Sequence, residues 1–319
     1  CLSQRSSAML LTITPNPALD KTVLLPGFTV GKTYRAEVLT LAGGKGLNVA
    51  RAACVLGQPC LALVPLGGHG GRYLRHLARQ EGLNCAGPEI AAELRTCLTI
   101  IDPQEPKRVT EVYEQGAALT AGDWERLVAM AASHFSQARF LAICGSFPAG
   151  MPQDGLVRLV TLAHAAELPV LLDTYGPQLV HALELRPALL KINQHEAGTL
   201  LDEAISTPRQ ASAAARALRQ RGARAVVITL GERGAVGITA EGQTFGWSAP
   251  RVAALSPIGS GDCLLAGIAT GLARGEALPE ATRLGVAAGA ANTLQIGAGR
   301  LRLQQVEELL QQVYPLPLT

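Results

Sequence analysis

Aromatic side chains are scarce, with Phe, Tyr and Trp together making up 4% of the 319 residues. A core built on stacked rings is thereby excluded. Packing must come from Ala, Leu, Val and the 34 glycines, a composition that suits helices lying close against sheets. Charge of one sign is also missing. Lys and Arg number 28 against 25 Asp and Glu, a net charge of +3, and no run of five like charges occurs, so composition gives no reason to expect a nucleic-acid partner. Charged residues are 17% against 48% hydrophobic, with a mean hydropathy of +0.22, which excludes disorder for the bulk of the chain.

Long apolar runs are absent as well. The first, Ala8 to Ile13, is halted by Pro15 and Pro17, and no stretch reaches the roughly 18 residues of a membrane helix. Cys1 would suit a lipidated terminus, but the first strand follows so soon that almost no tether remains. Residues 1–8 are expected to be an N-terminal extension, with Met9 as the start. The seven cysteines form no C-x-x-C pair and the six histidines show no metal spacing, so neither a disulfide framework nor a structural zinc is expected. Thiols set in apolar runs point to a reduced, cytoplasmic protein.

At about 150 residues per domain, 319 residues allow two domains or one large α/β unit. Leu10 to Thr14 reads as a buried strand whose exit the two prolines force to be extended, with Asp20 just beyond. From Lys21 to Leu41 apolar and polar residues alternate around Pro26, Gly27 and Gly31, as in short half-exposed strands. Arg95 to Ile101 and Arg108 to Glu114 alternate likewise, so 21–41 and 94–116 are expected to form a small β-lid. The remainder, 9–20, 42–93 and 117–319, alternates strand and helix, which predicts an α/β core of three α/β/α layers with a mainly parallel central sheet.

Ligands in such a sheet bind beyond the carboxyl ends of the strands. Asp20, Gly145, Ser146, Asp173, Asn193, Glu196 and Gly231 all follow apolar strand runs and are expected at that rim. The sharpest local signal is Gly259-Ser260-Gly261-Asp262 ahead of a small-residue helix. Successive N–H groups at a helix start make a nest for phosphate oxygens or a developing anion. Asp262 there has two readings: an N-cap of the helix, or a general base beside an anion hole. A second signal is Gly43-Gly44-Lys45-Gly46 opening a helix at Leu47, where paired glycines admit close backbone approach and Lys45 adds a cation. Gly27 to Thr33 is no P-loop, since three residues rather than four separate its glycines and no helix follows. No G-x-G-x-x-G follows a strand, so a nicotinamide or flavin fold lacks its fingerprint.

The pair AGGKGLNVARA and GSGDCLLAG resembles the two signatures of the ribokinase-like (PfkB) sugar kinase family. The likeness runs from Leu10 to the C-terminal helices through TPNPALD at 14–20, Leu94-Arg95-Thr96, VTEVYEQGAAL at 109–119, GSFPAG at 145–150, KINQHE at 191–196, TLGERGA at 229–235 and AAGAANT at 287–293. TPNPALD and TEVYEQG are similar to the branch that phosphorylates phosphosugars, 1-phosphofructokinase and tagatose-6-phosphate kinase. The resemblance implies a ribokinase-like fold and ATP-dependent phosphorylation of a ketohexose phosphate, fructose 1-phosphate or tagatose 6-phosphate, to the bisphosphate, with ATP and Mg²⁺ required. It assigns Asp262 as base and Gly259, Ser260 and Gly261 as anion hole. Asp20, Asn48, Gly43, Gly44 and Ser146 fall to the sugar site, and Lys45 with Arg95 to the phosphate already on the substrate, a task suited to cations. Lys191, Asn193, Thr229, Gly231 and Asn292 fall to the nucleotide, and Glu196 to magnesium, through water.

The sequence departs from the family pattern at Ile192 in K-P-N, at Thr174 and Tyr175 in D-S-S-G, at Ser260 in G-A-G-D and at Phe147 in GSLP. Of these only Ser260 touches the anion hole, which uses backbone N–H groups and so tolerates it. The competing readings are a kinase of an unphosphorylated sugar or nucleoside, and a non-catalytic sugar-phosphate sensor on the same scaffold. The expected partners are small molecules, with no membrane, and the alternating lid strands leave room for a homodimer in which two lids pack.

Overall fold

Strands that are apolar on both faces need cover on both, and the chain supplies it. The computed structural model describes residues 9–105 and 108–318; the extension expected over 1–8 lies outside them. In chain order the elements are β1 (Met9–Ile13), β2 (Ala18–Leu24), β3 (Val38–Gly43), α1 (Lys45–Val55), β4 (Cys60–Leu63), β5 (Leu66–Gly67), α2 (Gly68–Gln80), β6 (Cys85–Ala86), β7 (Glu89–Ile90), β8 (Arg95–Ile101), β9 (Val109–Tyr113), α3 (Ala121–Ser133), β10 (Ala138–Cys144), α4 (Gly155–Ala165), β11 (Val170–Asp173), α5 (Pro177–Glu184), β12 (Leu189–Asn193), α6 (Gln194–Leu201), α7 (Pro208–Gln220), β13 (Val226–Thr229), β14 (Ala235–Ile238), β15 (Thr244–Trp247), α8 (Ser260–Ala273), α9 (Leu278–Thr293) and α10 (Leu303–Leu310).

The central sheet runs β15-β14-β13-β12-β11-β10-β1-β4-β6. It is parallel from β6 to β13 and antiparallel only where the β13-β14-β15 meander closes its edge. Side chains alternate between its faces with the period of two that a strand imposes. Leu11, Ile13, Leu63, Leu141 and Ile143 enter one core with α3 to α7. Leu10, Ala62, Ala142 and Cys144 enter the other with α1, α2, α8, α9 and α10. The second face carries small residues, and its helices come close in turn. A Cβ on Gly267 of α8 would stand 2.6 Å from Gly285 Cα of α9, so only glycine permits that crossing.

The smaller sheet is ordered β3-β2-β8-β9, with a parallel pair β2/β8 flanked by antiparallel neighbours. It takes in Ala18 to Asp20 and Ala42 to Gly43, which the sequence pattern assigned to the core. The reason lies in the two prolines: β1 stops at Ile13 and the chain restarts at Ala18 in the other sheet. Asp20 is therefore a mid-strand residue facing Leu41 and Cys97 across the ladder, not a residue of the β1 exit. β1 lies between β10 and β4 while the chain builds outward on both sides, so the order reverses there, and the carboxyl ends at such a point open a crevice. No helix among the described residues is long and apolar enough to cross a membrane.

Candidate active site

Two helix starts meet at this crevice. Helix α8 begins behind Gly259, whose φ of +82° lies in the left-handed region that glycine enters without strain. Asp262 stands in the first turn, 6% exposed. It is not the N-cap, because that position is Gly259 and no side chain caps it among the described residues. The Asp262 carboxylate turns instead to α1, where Asn48 Nδ2 donates to its Oδ2 at 2.8 Å. Of the two sequence readings of Asp262, the capping one is therefore not what the fold uses. Burial first, then the neighbouring Asp173 charge, raise its carboxyl to about 6 against the pull of Lys45, Lys191 and Asn48.

Helix α1 begins at Lys45 behind Gly44, which has φ +114°. Lys45 Nζ reaches Asp173 Oδ1 at 3.1 Å and Glu196 Oε1 at 3.6 Å, and lies 5.8 Å from the centre of the Tyr175 ring, within cation–π range. Burial opposes its charge, but the Asp173, Asp262 and Glu196 carboxylates more than offset this and raise its pKa. Lys191, buried on β12, binds the other Asp173 oxygen at 2.8 Å and lies beside Gly261, where a Cβ would stand 2.8 Å from its Nζ. Burial disfavours ionised Asp173, yet Lys191 and Lys45 hold its carboxyl below the ordinary value. Asp173, Lys45, Lys191, Glu196, Asp262 and Asn48 are thus one charge network.

A second group lies toward the lid. Asp20 sits over Gly43, where a Cβ would overlap its carboxylate. Burial raises Asp20 to about 6 against Arg51, the Gly44 N–H and Arg95. Arg95 opens β8 and donates from Nη2 to Asn16 O at 3.1 Å. Its Nε is buried and without a hydrogen-bond partner among the described residues. Asn16 Nδ2 in turn donates to Ser146 Oγ at 3.0 Å, tying the β1 exit to the β10 exit. Lys45, expected beside Arg95, is committed to Asp173 and Glu196 in this structure.

On the far side, Asn193 and Glu196 form a reciprocal capping box on α6. Asn193 Oδ1 accepts from the N–H groups of His195 and Glu196, and Glu196 Oε2 accepts from Asn193 N. Thr229 is the register partner of Asn193 on β13, and Gly231 follows with φ +61°. Asn292, expected to border the nucleotide, is fully buried. It donates to Ile258 O at 2.8 Å and accepts from Cys263 Sγ, so its side chain fixes the loop that ends at Gly259. Asp173 was visible in sequence only as a polar residue ending an apolar strand, and no role was assigned to it. Arg51 lies within AGGKGLNVARA, but no role was assigned to it, and Glu81 belongs to no motif.

The family model for pfkB family carbohydrate kinases matches residues 17–304. The chain belongs to that family. The chain is 30% identical over 308 residues to the 1-phosphofructokinase of Bacillus subtilis, covering 96% of this chain and 98% of that one. It matches the crystal structure of phosphofructokinase-2 from Escherichia coli in complex with fructose-6-phosphate with a TM-score of 0.85 at 28% identity, over 96% and 99% of the two chains. Arabidopsis thaliana ribokinase complexed with ribose and ATP matches with a TM-score of 0.75 at 20% identity, over 96% and 99%, which shows the ribokinase-like fold. Membership makes the protein a phosphotransferase with a carbohydrate alcohol as acceptor.

Proposed function

We propose that the chain transfers the γ-phosphoryl group of Mg-ATP to the free primary hydroxyl of a ketohexose phosphate, with fructose 1-phosphate as first candidate and tagatose 6-phosphate as second. The observation that carries this is Asp262, a buried carboxylate with a raised pKa at the start of α8, held by Asn48 and flanked by Lys45 and Lys191. A carboxyl near 6 is ionised at neutral pH yet basic enough to accept a proton from a hydroxyl in the transition state. In the proposed step the acceptor oxygen bonds to the γ-phosphorus as the bond to the bridging oxygen of ADP breaks. The hydroxyl proton passes to the Asp262 carboxylate, and the N–H groups of Ser260 and Gly261 stabilise the transferring phosphoryl oxygens.

Relatives named for fructose phosphates support a phosphosugar acceptor, as does the orphaned Arg95 Nε, a buried donor suited to phosphate. Asp20 and Asn48 are assigned to sugar hydroxyls, Gly43 and Gly44 to the close approach of the sugar, and Ser146 to its rim. Lys191, Asn193, Thr229 and Gly231 are assigned to the nucleotide. Glu196 fits a magnesium ion held through water, because Oε2 is spent on the cap while Oε1 faces the cleft beside Lys45. Magnesium usually keeps its waters and takes one or two carboxylates plus substrate phosphates; bound with the nucleotide, it supplies neutralisation of phosphate charge.

ADP release with Mg-ATP against fructose 1-phosphate, tagatose 6-phosphate, fructose 6-phosphate, fructose, ribose and adenosine tests the proposal. Saturable turnover with a phosphosugar is the expected result. Turnover only with an unphosphorylated acceptor, or silence across the panel, would contradict it and favour the simple sugar kinase or the sensor. We further propose that the reaction is cytoplasmic, in keeping with six free thiols among the described residues, and that two copies pair through their lids. Exposed Val38, Val112 and Tyr113 on the small sheet support the pairing, and a monomer mass by light scattering would contradict it.

A further inference from the structure

Arg51 and Glu81 take no part in the roles assigned above, yet they join the base to the sugar loop. Arg51 lies on α1, 6% exposed. Its Nε donates to Glu81 Oε2 at 2.5 Å, its Nη1 to Asn48 Oδ1 at 2.8 Å and to Ala298 O at 3.1 Å, and its Nη2 to Ala42 O at 2.5 Å. Glu81, the residue capping the end of α2, accepts from Ala42 N through Oε1 at 3.1 Å. The pair therefore grips both backbone groups of the residue before Gly43-Gly44, together with the side chain that donates to Asp262.

We propose that Arg51, held by Glu81, is a positioning residue for phosphoryl transfer: it fixes the Asn48 amide so that its NH₂ faces Asp262, and it fixes Ala42 so that Gly43 and Gly44 meet the sugar. The inference rests on the reading of Asp262 as base. Its logic is the donor inventory. A guanidinium only donates, so the amide oxygen of Asn48 must face Arg51 and the amide nitrogen must face the carboxylate. The Asp262 carboxylate, which only accepts, favours the same orientation from the other side, so Arg51 and Asp262 hold the amide between them; without Arg51 the orientation rests on the one contact with Asp262. An NH₂ donated to a carboxylate stabilises its ionised form, so Arg51 acts on the base through Asn48. One Asn48 N–H remains for an acceptor hydroxyl. The other charged or titratable groups around Asp262 are Lys45 on α1, Cys144 on β10, Asp173 on β11, Lys191 on β12 and Cys263 on α8 itself.

The test is the pH profile of kcat and kcat/KM from pH 5 to 8.5, with Mg-ATP and the acceptor that turns over in the panel. The wild-type profile is expected to fall below about 6, the value to which both Asp262 and Asp20 are raised; the limb of kcat, with the sugar bound and saturating, is read for Asp262. Arg51→Gln is expected to lower kcat by about a hundredfold, the scale of a misplaced reacting geometry. It should also move the acidic limb up by about one pH unit, the sign expected when a donor to the carboxylate is lost, with KM for ATP unchanged. Arg51→Lys should bring the limb back toward wild type, since an ammonium still donates to Asn48 Oδ1. In kcat the double variant Asn48→Ala, Arg51→Gln should be no slower than Asn48→Ala alone, because on the base Arg51 acts through Asn48, while the lost grip on Ala42 adds only to KM for the sugar acceptor. If Arg51→Gln does not fold, Glu81→Gln serves instead, keeping an acceptor for Ala42 N, and a smaller limb shift of the same sign is expected. A lower melting temperature with the limb unmoved, or additive losses in the double variant, would overturn the proposal and leave Asp262 as base intact. A full rate in Asp262→Asn would overturn the base and this inference with it.

Discussion

Asp173 engages two lysines at once, one on each carboxylate oxygen: Lys191 Nζ on Oδ2 at 2.8 Å and Lys45 Nζ on Oδ1 at 3.1 Å. The carboxylate is fully buried and Lys191 is 3% exposed, so removing one partner strands the other. Asp173→Asn is expected to destabilise the fold by about 3–5 kcal/mol, the usual cost of breaking a buried pair. Urea unfolding at pH 7 measures it. A loss below about 1 kcal/mol, the range of an exposed pair, would show that water reaches the network.

The acidic groups divide by sign. Asp173 is held below its ordinary value of 3.8, so the stability it adds is present above that value and is lost as pH falls through the lowered one. Asp262 and Asp20 run the other way. Both are raised from 3.8 to about 6, so what they add is full below about 3.8 and lost as pH rises through about 6. Asp262→Asn is therefore expected to be more stable than wild type at pH 7, by on the order of 2 kcal/mol, and to lose that margin near pH 4. An equal difference at both pH values would contradict the raised pKa.

Gly43 has no room for a side chain beneath Asp20. In Gly43→Ala the new Cβ would overlap the carboxylate and push Asp20 out of place. KM for the sugar acceptor is expected to rise by about tenfold to a hundredfold, the scale of a small misplacement at a reacting site, with KM for ATP unchanged. Equal changes in both would place Asp20 outside the sugar site.

Arg95 carries the prediction about the acceptor's own phosphate. Arg95→Gln removes a charged donor whose Nε has no partner among the described residues. A charge-assisted hydrogen bond contributes about 1.5–3 kcal/mol, so kcat/KM for the phosphorylated acceptor should fall roughly tenfold to a hundredfold. The unphosphorylated sugar should be affected far less. A uniform fall would assign Arg95 to the architecture around Asn16.

What the sequence showed and what it hid follow one physical division. Leu10 to Ile13, the GGKG start of α1 and the GSGD start of α8 were legible because local backbone rules produce them: alternation within a strand, and glycine where the chain turns into a helix. The lid boundary at Ala18 was not, because Pro15 and Pro17 mark a break without saying which sheet receives the chain next. Asp173 with Lys45 and Lys191, and Arg51 with Glu81 and Asn48, were hidden for another reason. Lys45, Lys191 and Asn48 were placed at the site by resemblance and Arg51 lies in the same glycine-rich motif, but the pairings of these cations with Asp173 and Glu81 join elements far apart in the chain and leave no local pattern. Asn292 is the converse case, a residue placed at the nucleotide by resemblance whose side chain the packing of α8 and α9 directs into the core.

The most direct test of the central claim is the rate of Asp262→Asn. The variant keeps the shape of the side chain and an oxygen for Asn48 to donate to, and removes only the capacity to accept the hydroxyl proton. With Mg-ATP and the phosphosugar that turns over, kcat is expected to fall by at least about a hundredfold, the range typical of general-base loss, with nucleotide affinity unchanged. A variant that retains most of its rate would contradict the assignment of Asp262 as the base.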